Sequence, residues 1–299
     1  RQRQMCIRDR GEYSKFIASV PNAPKLETSE LDELTFTAAE KVFLNNRTST
    51  GRLKDYVAQY PGGRFEGQAL GYLAEAAAES GNEAEALEYA TVLTQRYPDS
   101  EYAEDALAIK GNIEYNRGDG EKALATFRAL EKRASASRNI HAARIGIMRV
   151  SRDLGLYKDV VAEADRMLAS TAIPAADKNE IIYSRAYALS MTGEQGEAVK
   201  AWENLAKDTD DLYGAKSAFY LAQHYYDGSQ YKKARTTVER LIDSNTPHSY
   251  WLARGYILLS DICRKQGDDF EATEYLKSLK ENYPGTESDI FMMIDERLK

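Results

Sequence analysis

The sequence predicts an all-α chain of stacked helix pairs, and three observations carry that expectation. Alanine occurs 40 times and tyrosine 20 times in 299 residues, whereas the long runs of Val, Ile and Thr that suit a pleated sheet are missing. One short phrase recurs along the chain: a Gly-containing turn, a few small or charged residues, then Ala, then a bulky residue four positions later. Apolar residues on both sides of each turn fall at i, i+3, i+4 and i+7, which is the period of one helix face. By length alone the chain has room for two average domains, but a chain that repeats folds as one elongated array instead.

The elements follow in order. Residues 1–10, Arg1-Gln-Arg-Gln-Met-Cys-Ile-Arg-Asp-Arg10, have neither Met at position 1 nor an apolar stretch, so they are not a secretory signal. They read as a non-native or disordered tail, and Cys6 has no apolar run before it that would make it a lipid-anchor cysteine. Residues 11–30 read as the remnant of a preceding unit and a linker, which makes the chain the C-terminal fragment of a longer one and leaves room for a membrane anchor upstream. Seven units then follow, at about 31–63, 64–99, 100–135, 136–173, 174–210, 211–246 and 247–284. Their anchors are Ala86, Ala123, Val160, Ala198, Ala234 and Ala272, with a first anchor at Ser49 set by the endings Tyr60-Pro61, Tyr97-Pro98 and Tyr283-Pro284. The spacing between successive anchors is 36 to 38 residues throughout.

Each unit reads as two helices. In the sixth, Ala218, Leu221, Ala222 and Tyr225 form one stripe, and Tyr231, Ala234, Val238, Leu241 and Ile242 the other. Ala222 and Ala234 have no bulk beyond Cβ, so two helix axes can approach to the short end of the usual ~8–10 Å, with bulky partners filling the flanking holes. The turn glycines, Gly228 among them, supply the left-handed conformation that ends the first helix. Tyr-Pro ends the second, since Pro offers no N–H to continue it. Thr246-Pro247 is expected to cap and open the next helix. Thr286-Glu-Ser-Asp289 is expected to form a capping box for a final helix, and residues 285–299 read as a terminal cap with a polar outer face.

The sequence carries little catalytic or metal-binding chemistry. The three histidines, His141, His224 and His248, fall at different positions of the repeat, and no His or Cys has a neighbour at metal-ligand spacing. Gly214-Ala-Lys-Ser217 ends like a phosphate loop, but Lys216 does not directly follow a Gly and no first Gly stands at the required distance. Cys263 reads as packing rather than as a nucleophile. No pair of carboxylates is marked as acid and base. The expectation is a chain that is not an enzyme and needs no cofactor or metal. The formal net charge of −7 and the lack of a Lys/Arg stripe oppose nucleic-acid binding, and no run of 18 apolar residues marks a transmembrane segment.

These units resemble the tetratricopeptide repeat (TPR), which carries a bulky residue, Leu-Gly, Tyr, Ala, Phe and Pro at fixed offsets. The seventh unit matches best, with Tyr256, Leu259, Ser260, Cys263, Ala272, Leu276 and Pro284, while the third offers Leu107, Gly111, Ala123 and Phe127. The period is longer than the family's, and units one and four are degenerate. The resemblance implies a right-handed α-solenoid of antiparallel helix pairs. It also implies a concave face on the first helices, at offsets 5, 9 and 12 of each unit. On that count the partner-binding residues are Asn112 and Tyr115; Arg149 and Arg152; Tyr183 and Tyr187; Phe219, Gln223 and Tyr226; and Ile257, Asp261 and Arg264. Tyr and Arg are enriched where binding energy concentrates. The clamp that grips a chaperone C-terminus is not expected, because Asn112 at offset 9 is accompanied by Ala108 at offset 5.

Endings such as Arg96-Tyr-Pro-Asp-Ser-Glu-Tyr102 resemble the TPR modules of Gram-negative cell-envelope proteins. The function expected is therefore a protein-protein interaction scaffold in a bacterial envelope assembly, periplasmic or outer-membrane-associated, with the cytoplasm the alternative. Two other readings stand beside it: the partner-recruiting region of a larger enzyme, and an RNA-binding helical repeat.

Overall fold

The computed structural model describes residues 27–170 and 173–299. The tail at 1–10 and residues 11–26 of the remnant and linker lie outside the described residues. Within them the chain forms fifteen helices and no strand. It divides into two compact units, one ending at Leu154 and the other beginning at Gly155. The first unit holds α1 (Thr28–Asn45), α2 (Gly51–Gln59), α3 (Glu66–Glu79), α4 (Glu83–Arg96), α5 (Ala103–Asn116), α6 (Gly120–Arg133) and α7 (Ser137–Asp153). The second holds α8 (Tyr157–Leu168), α9 (Ala175–Thr192), α10 (Gln195–Leu205), α11 (Leu212–Asp227), α12 (Tyr231–Asp243), α13 (Ser249–Gln266), α14 (Asp269–Asn282) and α15 (Ser288–Leu298).

In each unit every helix packs against the next, and the first helices of successive pairs also touch: α3 with α5 and α5 with α7, then α9 with α11, α11 with α13 and α13 with α15. The second helices of neighbouring pairs, such as α10 and α12, do not meet. First helices therefore line the inner side of each stack and second helices are splayed on the outer side. This is the α-solenoid arrangement of antiparallel helix pairs.

Small residues set the crossings. Ala86, Ala123, Val160, Ala198, Ala234 and Ala272 are all fully buried, and the residues four positions on, Ala90, Phe127, Ala164, Trp202, Val238 and Leu276, are buried with them. The first helices meet them with small residues too. A methyl group added at Gly111 would come within 2.8 Å of the Phe127 ring, and one at Gly146 within 2.6 Å. Phe127 is thus wedged between α5 and α7 where no side chain fits. Burial of each large apolar side chain contributes about 1.5–3 kcal/mol, so Phe127, Trp202, Val238 and Leu276 add to the crossings that hold them.

Polar clamps link helices within pairs and between neighbouring pairs. Buried Asp32 accepts a hydrogen bond from the Tyr56 hydroxyl at 2.5 Å and from the Arg64 N–H at 2.8 Å. Buried Glu66 accepts from Arg96 at 3.0 Å and from the Tyr97 hydroxyl, drawing the end of α4 back onto α3. Burial, reinforced by that hydrogen bond, pushes the Tyr97 phenol up to about 12. Glu104 on α5 accepts from Ser135 and Asn139 at the start of the next pair.

Four local expectations are corrected. Ser49 is not an anchor: α1 runs on to Asn45, Asn46 closes a turn by accepting from the N–H and hydroxyl of Thr48, and α2 begins only at Gly51. Its first turn is missing, and Leu53, 37 residues ahead of Ala90, takes the buried place. In α11 the left-handed residue is not Gly228, whose φ is −79°, but Ser229 at +57°. Thr246-Pro247 does not open α13, which starts at Ser249; the Thr246 hydroxyl instead donates to the Thr209 carbonyl at 2.6 Å and accepts from His248 N–H. The capping box at Thr286 does not form, because α15 starts after Glu287, whose carboxylate is engaged by the Tyr283 hydroxyl at 2.7 Å.

The turn positions Gly81, Gly118, Gly155, Gly193 and Gly267 all have positive φ, a conformation that costs a residue with a Cβ roughly 1–2 kcal/mol. Ser229→Gly is expected to stabilise the chain by about 0.5–1 kcal/mol, and Gly193→Ala to cost about 1 kcal/mol or more. Urea unfolding of the two variants checks this; a Ser229→Gly variant no more stable than the parent contradicts it.

Candidate protein-binding face

The inner face is built from first helices, so residues at offsets 5, 9 and 12 fall on one side of each. In the first unit Asn112 is exposed, and Tyr115, Arg149 and Arg152 are half-buried. Asp153 gathers two of them: the Tyr115 hydroxyl donates to it at 2.7 Å and the Arg152 guanidinium at 3.3 Å. Burial, then the bond to Asp153, raises the Tyr115 phenol above its ordinary pKa. A separate hollow of about 320 Å³ lies further along this unit, with small residues such as Gly71, Ala78 and Ala108 on its floor and Glu75, Glu79 and Asp105 among its lining. None of the sequence-derived site residues lines it, because its floor is made by what the side chains leave out.

The second unit carries the denser arrangement. Tyr183, Phe219 and Ile257, all at offset 5, are buried to 5%, 2% and 3% exposure and act as packing between first helices rather than as contacts for a partner. Tyr187, Gln223 and Tyr226 are half-buried. Tyr187 meets Tyr220 edge-to-face at 5.2 Å between ring centroids, Gln223 donates to Asp227 at 2.8 Å, and Tyr226 packs on Tyr231 at 5.7 Å. Burial, then the Asp261 charge, raises the Tyr226 phenol.

Two cations complete this face, both at offset 2, which lay outside the three offsets used on the sequence. The Lys216 ammonium sits 5.1 Å from the Tyr213 ring, 5.5 Å from Tyr183 and 5.6 Å from Trp251. The Arg254 guanidinium lies 4.8 Å over Phe219 and donates to the Tyr250 hydroxyl at 3.2 Å. Cations over ring faces are held by the ring quadrupole, at about 0.5–2 kcal/mol each. Tyr220 and Trp251 extend the run of rings, 5.9 Å apart. The Gly214-Ala-Lys-Ser217 segment is the first turn of α11 rather than a loop, and Lys216 points its ammonium into this aromatic run.

At the C-terminal end, Asp261 and Arg264 are both engaged by α15. Arg297 donates to both Asp261 oxygens at 2.8 Å, and Arg264 donates to the Arg297 carbonyl. The hydrogen bonds to Asp261 hold the Arg297 guanidinium above its ordinary pKa. In the last pair the predicted partner site is thus occupied by the chain's own final helix.

Cys263 is fully buried. Burial, with a hydrogen bond to Glu271 at 3.4 Å, pushes its thiol up to about 11, whereas reactive cysteines have lowered values. The His248 ring lies 2.9 Å from the Asp210 carbonyl, where it ties α13 to the preceding loop. No group of three or more His, Cys, Asp or Glu side chains is placed to hold a metal ion among the described residues.

Comparison with known proteins fits this geometry. The family model for the tetratricopeptide repeat matches residues 68–100 and 250–286. A tetratricopeptide repeat protein from Parabacteroides merdae is similar in structure, with a TM-score of 0.59 at 16% identity, over 91% of this chain and all of that one. The C-terminal part of a TPR repeat-containing protein from Cytophaga hutchinsonii gives 0.58 at 13% identity, over 88% and 99% of the two chains. PilF of Pseudomonas aeruginosa gives 0.53 at 16% identity, over 77% and 95%. No curated protein sequence matches. Two stretches of the chain thus carry the tetratricopeptide repeat, and its fold is that of solved TPR solenoids.

The ion pair at the end of the stack yields a test. Arg297→Met is expected to loosen α15 by about 1–3 kcal/mol, since it removes charge-assisted hydrogen bonds that are less than a third exposed. Amide hydrogen exchange checks it: residues 290–298 exchange faster while α11 is unchanged, and unchanged exchange in α15 contradicts the assignment.

Proposed function

We propose that this protein is a non-enzymatic scaffold that holds another polypeptide on the inner face of its first helices. The TPR fold is one of protein-protein interaction scaffolds that are generally non-catalytic. The observation that carries the reading is the row on α9, α11 and α13, where Lys216 and Arg254 are steadied by rings and half-exposed Tyr187, Gln223 and Tyr226 stand beside them. Aromatic side chains offer large, stiff contact areas, and cations already held in place lose little freedom when a partner docks. A peptide presenting apolar groups to the rings and carboxylates or carbonyls to the cations fits this chemistry.

The assembly we propose is a bacterial cell-envelope one, periplasmic or outer-membrane-associated. The support is the Tyr-Pro endings after α2, α4 and α14, which resemble those of Gram-negative envelope TPR modules. No helix among the described residues is long and apolar enough to cross a membrane.

The triple variant Tyr187→Ala, Lys216→Ala and Tyr226→Ala is expected to weaken capture of the native partner at least about tenfold, as hot-spot truncations of about 1–2 kcal/mol each imply. Quantitative affinity capture from the source cell, with helicity checked by circular dichroism, measures it. Undiminished capture by the folded variant places the binding surface elsewhere.

A further inference from the structure

The outer side of the second unit carries a groove of about 740 Å³ that the concave-face reading does not use. It exists because α10 and α12 do not meet: α10 and the loop after it form one wall, α12 the other, and α11 the floor. Leu221 and Tyr225 on that floor are each two residues from Gln223, which at 3.6 residues per turn puts them about 200° around α11 from the inner face. The groove is therefore a separate surface.

Its charge runs against that of the chain. Lys207, Lys232, Lys233 and Arg240 line it, with Glu203 the one carboxylate, in a protein of net charge −7. All four cations are exposed, and none is paired with a carboxylate among the described residues. Elsewhere in the same unit Arg185, Arg235, Lys280 and Arg297 all are. Lys207 reaches only the Asn204 side chain, and Lys233 lies 5.4 Å from the Tyr225 ring. Glu203 is drawn to the floor by the Tyr225 hydroxyl at 3.2 Å.

The chemistry selects the class of ligand. The hydroxyls of Thr236, Thr237 and Ser244 each donate to a carbonyl of their own helix, so the donors facing the groove are flexible cationic heads. Phosphate recognition gains from several converging guanidinium forks and from rows of backbone N–H groups, whereas here Arg240 is the one guanidinium among three lysines. The floor is apolar, formed by Ala218, Leu221 and Tyr225 of α11, with Leu241 at the foot of the α12 wall. Lys232 and Arg240 are eight residues apart on α12, about 12 Å along the helix. We propose that this outer groove is a second docking site, for an acidic polypeptide segment that lays apolar side chains on the floor and carboxylates against the rim. The chain would then join two partners, one on each side of α11.

The test uses the full chain and a dye-labelled peptide of repeated Glu-Leu-Glu-Glu blocks, read by fluorescence anisotropy at low and physiological salt. The expected result is salt-sensitive binding that falls at least about tenfold in the variant Lys232→Glu, Lys233→Glu, Arg240→Glu. A control with the same change in net charge, Lys132→Glu, Lys178→Glu, Lys265→Glu, retains it, as does the inner-face triple variant, which separates this proposal from the concave-face reading. If the charge-reversed variant does not fold, the Gln versions at the same three positions replace it. No binding of the acidic peptide, equal loss in the control, equal binding of a Gln-for-Glu peptide, or tighter binding of a poly-dT oligonucleotide or of anionic phospholipid vesicles would each overturn the proposal.

Discussion

The structure depends on one steric constraint: a small or slender residue on the second helix of a pair must face the first helix, and after Ala123, Ala198, Ala234 and Ala272 a larger residue one turn later fills the space beside it. Ala234 and Ala222 are both completely buried, and Val238 lies beside them. Ala123 and Phe127 do the same against Gly111 and Gly146, where a methyl group would already collide with the ring. Because protein interiors are packed nearly as densely as organic crystals, such a contact fixes distance and rotation together. Repeated at a nearly constant interval, it turns the modest helices of each unit into a stack, and each pair depends chiefly on its neighbours.

Such a stack has two sides and an end, and each has its own chemistry. On the inner side the first helices touch, so ring-bearing residues crowd together, some becoming core and others standing beside Lys216 and Arg254. On the outer side the second helices separate, and the gap between α10 and α12 opens onto α11 with a rim of cations. At the end, α15 takes the place of a further first helix: it packs on α13 and α14, and Arg297 satisfies Asp261 across that contact. The polar clamps of Asp32, Glu66 and Glu104 tie helices within a pair and across to the next one, giving these carboxylates partners from later in the chain.

The period, the anchors and the Tyr-Pro endings were legible in the sequence because they rest on local steric facts: Ala is small, Pro lacks an N–H, and a helix repeats every 3.6 residues. What was misread depends on a shift of one or a few residues. Ser49 stands one repeat interval before Ala86, but α1 runs to Asn45 and α2 begins only at Gly51, which the interval alone does not show. Gly228 looked like the turn residue, yet the left-handed position is defined by where α11 stops, and that falls on Ser229. The site was less legible than the fold. Offsets give direction and not depth, so Tyr183, Phe219 and Ile257 face the right way and are nonetheless covered. Lys216, Trp251 and Arg254 sit outside the chosen offsets, and the outer groove is made by the parting of two helices that no single repeat encodes.

The anchor alanines set the helix crossings, and the unfolding free energies of two variants on α12 show whether they do. Ala234 is completely buried and Lys232, two residues earlier on α12, is exposed. Ala234→Leu should overpack the crossing and cost about 1–3 kcal/mol, whereas Lys232→Leu should change stability by less than about 0.5 kcal/mol. Equal unfolding free energies for the two variants would contradict the account, because they would mean that the helices do not meet at Ala234.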